Sequence, residues 1–220
     1  MRSWLLLSLL GLASVASAQT VCIDPGHPSE VGIGTQGKRS TEVGIAWQIA
    51  KALQMRLRRE GIDVLLTKQS QREKVTNRRR AEIANAAHAA LMIRLHCDAS
   101  NGSGFAVYYP AKPGTTAGVT GPSQEVIEAS KRAGGLVHSA MAKSLKGSVR
   151  DNGLKTDAQT AVGAKQGALT GSIFSQVPAV LVEMVVLTNR KDEAFILSKS
   201  GRAKMVEALA AGVLAAVKQK

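Results

Sequence analysis

The sequence is poor in aromatic side chains, with 2 Trp, 2 Tyr and 3 Phe among 220 residues. Proteins that hold single-stranded nucleic acid do so largely by stacking bases on such rings, so neither that platform nor one for bare sugar rings is evident. Cysteine is scarcer still. Cys22 and Cys97 are far apart in the chain, which excludes a zinc finger built on a close Cys pair. No apolar stretch reaches the roughly 20 residues of a bilayer-spanning helix, and no internal repeat, linker or second domain is visible. Acidic residues are also few, 16 against 29 Lys and Arg, for a formal net charge of +13. That field favours an anionic partner.

What is present begins with an address. Arg2, the apolar run Trp4 to Leu12 and the small residues Ala16-Ser17-Ala18 have the form of a secretory leader. Cleavage is expected after Ala18, making residues 1–18 a signal peptide and 19–220 the mature domain. A retained N-terminal anchor is the competing reading, which the small-residue site argues against. Gln19-Thr20-Val21 before Cys22 does not make a lipoprotein site. Export permits disulfides, and a Cys22–Cys97 bridge stays open if their strands are neighbours. The remaining length suits one domain with a substantial core. The protein is expected outside the cytoplasm, in the periplasm or cell-wall space, without a membrane span after cleavage. In that compartment a nucleic-acid partner is not expected.

Short β-rich runs alternate with longer helical ones. Thr20 to Asp24 reads as a strand ending at Pro25-Gly26. From Thr41 onward, Val43, Ala46, Trp47, Ala50, Leu53 and Leu57 recur at helical spacing, with Thr41 as N-cap and Gly61 as stop. Ile62 to Thr67 is a second strand, Arg78 to Ala90 a helix, Leu91 to His96 a third strand, and Phe105 to Tyr109 a fourth. Lys112 to Pro122 is read as a surface loop. Ser123 to Lys146 is read as a helix weakened at Gly134-Gly135, Val180 to Val186 as a strand and Gly201 to Lys218 as the last helix. Such alternation implies a single three-layer α/β domain with a mostly parallel central sheet of about six strands and helices on both faces.

Open α/β sheets bind their ligands beyond the carboxyl ends of the strands, and three groups suited to metal or proton chemistry fall there. His27 follows the first strand, His96 closes the third, and Glu183 interrupts the apolar run Val180-Leu181-Val182-Glu183-Met184. A carboxylate in such a strand is costly unless it is paired or coordinating. Glu42, at the start of the first long helix, by itself reads as a charge complementing the helix dipole. His27 by itself reads as a turn residue and His96 as a core histidine. His88 and His138 lie in helical stretches with no partner pattern and are taken as surface or packing residues.

Ile23-Asp24-Pro25-Gly26-His27, Glu42, Leu95-His96-Cys97-Asp98-Ala99 and Pro178-Ala179-Val180-Leu181-Val182-Glu183, taken in this order, resemble the amidase-3 family of N-acetylmuramoyl-L-alanine amidases. Arg80, Ala84-Asn85 and Leu187-Thr188-Asn189 extend the likeness, which runs from about Val21 to the C-terminus. The resemblance implies a zinc ion (Zn2+) held by His27, Glu42 and His96, with Glu183 as the catalytic carboxylate. It implies hydrolysis of the amide between N-acetylmuramic acid and L-alanine, with peptidoglycan as partner. Three protein ligands leave a fourth tetrahedral position for water.

Pro28, Arg94, Ala90 and Val185-Val186 depart from the family pattern, which usually has Gly, Ser, Asp and Gly-Phe there. None removes a ligand or the base; each bears on the shape of the substrate groove. The segment between His96 and Phe105 is too short for a helix that plugs the site, so a monomer with no obligatory activator is expected. The alternatives are a zinc metallo-peptidase or deacetylase acting on wall fragments, and a non-catalytic peptidoglycan-binding module.

Overall fold

A computed structural model describes residues 19–218. The expected signal peptide lies outside them. The chain runs β1 (Thr20–Pro25), α1 (Glu42–Arg58), β2 (Asp63–Leu66), α2 (Asn77–Ala86), β3 (Leu91–Asp98), β4 (Phe105–Tyr109), β5 (Gly114–Thr116), β6 (Val119–Gly121), α3 (Gln124–Leu145) and β7 (Asp151–Thr156). A 3-10 turn (Asp157–Gln159), α4 (Ala161–Gln166), α5 (Thr170–Ile173), β8 (Ala179–Val186), α6 (Arg190–Leu197) and α7 (Lys199–Val217) complete it.

The central sheet has six strands in the order β2-β1-β3-β8-β4-β7. All neighbours are parallel except β4 against β8. Side chains alternate across a strand, and the two faces are covered differently. Val21, Ile23, Leu91, Ile93, Leu95, Val180 and Val182 join the main core with the apolar faces of α1, α3 and α7. Cys22, Met92 and Ala179 face the other way, onto Ala84 of α2 and Ala89. That second face turns polar toward the carboxyl end of the sheet, because Asp24, Arg94, His96 and Glu183 continue the same alternation. The expected three-layer α/β domain is thus the fold.

Helix starts follow the side chains that cap them. Thr41 Oγ1 accepts from Gly44 N at 3.1 Å, which starts α1 at Glu42, and Thr76 Oγ1 accepts from Arg79 N at 3.2 Å at the head of α2. Several expectations are corrected. Lys112 to Pro122 is not a bare loop: β5 and β6 pair antiparallel in it, around Ala117 and Gly118 at φ 47° and 74°. Gly134-Gly135 does not interrupt α3, which is continuous. A Cβ on Gly134 would lie 3.3 Å from Leu154 Cδ1, so the glycine brings β7 close. β7, α4, α5 and α6 were not foreseen. His88 follows α2 at φ 45° rather than lying within a helix.

The cysteines are also settled by register. β1 and β3 are neighbours, but Cys22 pairs with Met92, and Cys97 lies five residues further along. At about 3.3 Å per residue that is roughly 16 Å, far beyond the ~7 Å limit for a bridge. Both thiols are free and buried.

Candidate active site

Four elements converge at the carboxyl end of β1, β3 and β8. β1 ends at Pro25, and the turn after it presents His27 at φ 49°, a left-handed conformation uncommon outside glycine. Its Nδ1 lies 3.1 Å from Gly32 O. This contact assigns the Nδ1 proton to the carbonyl and frees Nε2 as a lone-pair donor, the usual outer-shell arrangement of a metal-binding imidazole. Burial, foremost, and the nearby His96 lower the His27 pKa, against the opposing pull of Glu42. The neutral ring is therefore favoured.

Glu42 is the first residue of α1, yet it is only 2 % exposed. Thr35 N donates to its Oε2 at 2.7 Å and Cys97 N to its Oε1 at 3.2 Å. His96 Nδ1 lies 2.8 Å from the same Oε1 and His27 Nε2 3.6 Å from it. Burial alone would raise its pKa, but the hydrogen bond and charge of His96, with the charge of His27, hold it at about 2. The carboxylate is ionised. Ligand-type atoms of His27, Glu42 and His96 all lie within 4.8 Å of one another, so the structure brings together the three residues singled out from sequence.

Two glycines make the cradle. A Cβ on Gly26 would stand 2.6 Å from His96 Cε1, and one on Gly34 would stand 2.5 Å from Glu42 Oε2 and 2.7 Å from His27 Cδ2. The residues fit a metal ion on a further observation. His96 Nε2 is a buried polar atom with no hydrogen-bond partner, and such atoms are rare unless something absent satisfies them.

Glu183 stands beside His96 in register, on the adjacent parallel strand β8. Its Oε2 is the second buried atom without a partner. Burial, first, then the negative charges of Glu42 and Asp98 push its pKa well above the usual carboxylate range, with Arg94 opposing. A carboxyl whose proton affinity is raised in a cleft suits proton transfer.

The cleft onto which His27, His96 and Glu183 open has a volume of about 220 Å³ and is lined also by Asn77, Arg94 and Thr160, with Val31 and Val162 among its apolar contacts; Glu42 lies behind the two histidines and does not line it. A wider groove of about 980 Å³ lies past the ends of β3 and β8, by Asn101, Arg150 and Asn189. It contains none of the four candidate residues. Its one carboxylate, Asp192, already accepts from Gly104 N and Val186 N.

Sequence reasoning missed the network beneath the cluster. Asp24, fully buried, accepts from Arg80 Nη1 at 2.6 Å, Arg94 Nε at 2.9 Å and Thr67 Oγ1 at 2.5 Å. Arg80 also donates to the carbonyls of Val75, Pro25 and Pro28, tying the His27 turn to α2. Pro28, a departure from the family pattern, thus still serves the turn through its carbonyl. The available signal was Arg94 inside Leu91-Met92-Ile93-Arg94-Leu95, the same anomaly that marked Glu183. Away from the site, His138 does have a partner, Asp151 Oδ1 at 2.9 Å.

A mixed sheet with its polar residues gathered at the strand ends, and a buried carboxyl beside a cluster of ligand-type groups, is the arrangement of a hydrolase. Residues 21–215 match the family model described as N-acetylmuramoyl-L-alanine amidase, and the chain belongs to that family of peptidoglycan amidases. Among solved structures, the N-acetylmuramoyl-L-alanine amidase from Clostridium difficile 630 is 26 % identical, with a TM-score of 0.73 over 92 % of this chain and 98 % of its own. Ami1 from Mycobacterium smegmatis has the same coverage and TM-score at 20 % identity. AmiC2 of Nostoc punctiforme aligns at 21 % identity and a TM-score of 0.69, over 89 % of this chain and 95 % of its own. No curated protein sequence matches.

Proposed function

We propose that this chain is an exported, zinc-dependent N-acetylmuramoyl-L-alanine amidase, with His27, Glu42 and His96 as metal ligands and Glu183 as general base and acid. The observation that carries the reading is the pair of unsatisfied buried atoms, His96 Nε2 and Glu183 Oε2, on neighbouring strands at one cluster. Two imidazoles and a carboxylate are a donor set suited to zinc, and three ligands are the number a catalytic site uses. When bound, zinc supplies a Lewis acid that makes water nucleophilic near neutral pH and polarises the lactyl carbonyl.

The chain's own residues do the rest. Gly32 O and Thr35 N fix the orientations of His27 and Glu42. Glu183 accepts a proton as water attacks the carbonyl, then delivers it to the departing alanine nitrogen. Its raised proton affinity suits the first step, since a weakly basic carboxylate would be a poor proton acceptor. The segment from β3 to β4 contains no helix among the described residues that could plug the cleft. We therefore expect a monomer active without a partner. No helix among the described residues is long and apolar enough to cross a membrane, and residues 1–18 serve as the cleaved leader in this reading.

Digestion of purified sacculi, with and without a chelator, tests the proposal by product mass. Intact stem peptides released only when zinc is supplied are the expected result. Shortened peptides, deacetylated sugars or binding without release would each overturn it.

The cradle gives a second test. Gly34 sits at φ 77° with no room for a Cβ beside Glu42 and His27. Gly34→Ala is expected to weaken zinc about 10- to 100-fold, the usual cost of disturbing the groups that orient ligands. Competition against a chromophoric chelator measures this, and an unchanged affinity would remove Gly34 from the site.

A further inference from the structure

The amidase reading uses four residues and leaves one charged side chain of the same cleft without a role. Arg94 lies on β3 two residues before His96, hence on the same face of the strand and about 7 Å back from it. It is 4 % exposed and lines the cleft with Asn77, Thr170 and Glu183. A buried guanidinium needs counter-charge and acceptors for its five N–H groups. Arg94 finds only part of both. Nε donates to Asp24 Oδ2 at 2.9 Å and Nη2 to Asn77 Oδ1 at 2.5 Å, while Nη1 has no hydrogen-bond partner among the described residues.

The counter-charge is shared. Asp24 also serves Arg80, so one carboxylate faces two buried guanidinium ions and a positive charge is left over. The neighbouring carboxyls of Asp157, Glu30 and Glu183 make no hydrogen bond to Arg94 among the described residues. Asp157 is buried, and burial raises its pKa toward the neutral form despite the opposing backbone contact from Leu169 and the charge of Arg94. Glu30 spends its oxygens on the amide groups of Asn77. Gly171 lets α5 pack closely on this guanidinium: a Cβ there would lie 2.7 Å from Arg94 Cζ and 2.8 Å from Nη1.

We propose that Arg94 is a specificity-determining residue that binds the α-carboxylate of the second stem residue, on the leaving-group side of the scissile amide. The inference rests on the amidase reading. Five covalent bonds separate the leaving nitrogen from that carboxylate carbon, a reach of about 6 Å, which matches the setback of Arg94 from His96. On the sugar side the lactyl carboxyl is consumed in the amide itself, leaving no carboxylate there.

The test is calorimetric titration of the full chain carrying Glu183→Gln, with zinc, against muramoyl-L-alanyl-D-glutamate and its α-amide, muramoyl-L-alanyl-D-isoglutamine. The free carboxylate is expected to bind about tenfold more tightly, as for a hydrogen bond between charged groups. Adding Arg94→Gln should bring the ratio near one, and Arg94→Lys should retain part of it. Should the Gln variant fail to fold, the two-ligand comparison in the parent decides alone. Equal affinities, no binding of either compound, or a ratio that survives Arg94→Gln would overturn the inference. Hydrolysis of the same compounds by the unaltered protein is scored separately, so that a carboxylate preference without cleavage indicts the amidase reading and spares this one.

Discussion

Glu183→Gln is expected to lower turnover of peptidoglycan fragments by roughly 10²- to 10⁴-fold, the contribution of a positioned general acid–base group. The substitution is nearly isosteric. Glutamine keeps the shape of the side chain between His96 and Ala106, its partners in register on β3 and β4, but cannot accept the proton of attacking water. Zinc content should be unchanged, because His27, Glu42 and His96 form the cluster without it. Stability should be equal or higher. The native carboxyl is held where burial and the charges of Glu42 and Asp98 oppose its ionised form, and a neutral amide escapes that conflict, the usual trade of stability for activity. Stopped-time assays by mass spectrometry, metal analysis and a thermal melt give the three readouts. Turnover within about threefold of the parent, with zinc in place, would exclude Glu183 as the proton carrier.

Glu183 was legible in the sequence for the reason that makes it consequential. A carboxylate amid Val180, Leu181, Val182 and Met184 has no cheap explanation, and the structure leaves its Oε2 unsatisfied. Glu42 was not legible on its own. Its place at a helix start has an ordinary explanation, and only the fold, which turns the head of α1 over the end of β3, gives it the contacts with His96 and Cys97 N. The three-layer plan could be read because β1, β3 and β8 are short apolar runs and α1 carries apolar residues at helical spacing. β7 could not: Asp-Asn-Gly-Leu-Lys-Thr has no alternation and a single β-branched residue, Thr156 at its end, and it is a strand because β4 offers it an edge. The antiparallel entry of β4 against β8 depends on a long-range pairing, for which no local signal exists. α4 and α5, of six and four residues, are too short to show a helical period. Arg94 was noticed only as a departure from a family pattern, although the cost argument applied to Glu183 fits it equally. Its partner Asp24 lay within a quoted motif without an assigned task.

Asp24 carries the second large effect, on stability. Asp24→Asn is expected to destabilise the fold by about 3–5 kcal/mol, the cost of leaving a buried ion-pair network without one of its charges. Against a typical total of about 5–15 kcal/mol, this threatens folding itself. The size follows from what remains: two guanidinium ions, at 1 % and 4 % exposure, with no carboxylate between them. The amide presents one oxygen where the carboxylate presents two, and its NH2 group faces a donor. Damage should also spread to the site, since Arg80 connects Asp24 to the Pro25 and Pro28 carbonyls that flank His27.

The pH dependence provides an internal check. Burial opposes ionisation of Asp24, but Arg80, Arg94 and the Thr67 hydroxyl outweigh it and hold the folded-state pKa well below the usual carboxylate value. A depressed folded pKa means that the unfolded chain binds the proton more readily. The stabilisation is therefore complete above the unfolded pKa of about 3.9 and is lost as pH falls from there toward the folded value. Denaturant titrations of the parent at neutral pH and near pH 3 should show this loss. Asp24→Asn should be weaker at neutral pH and should lack this component of the acid decline. A variant as stable as the parent at neutral pH would mean that the two arginines find their counter-charge elsewhere, and the excess positive charge assigned to the floor of the cleft would have to be withdrawn with it.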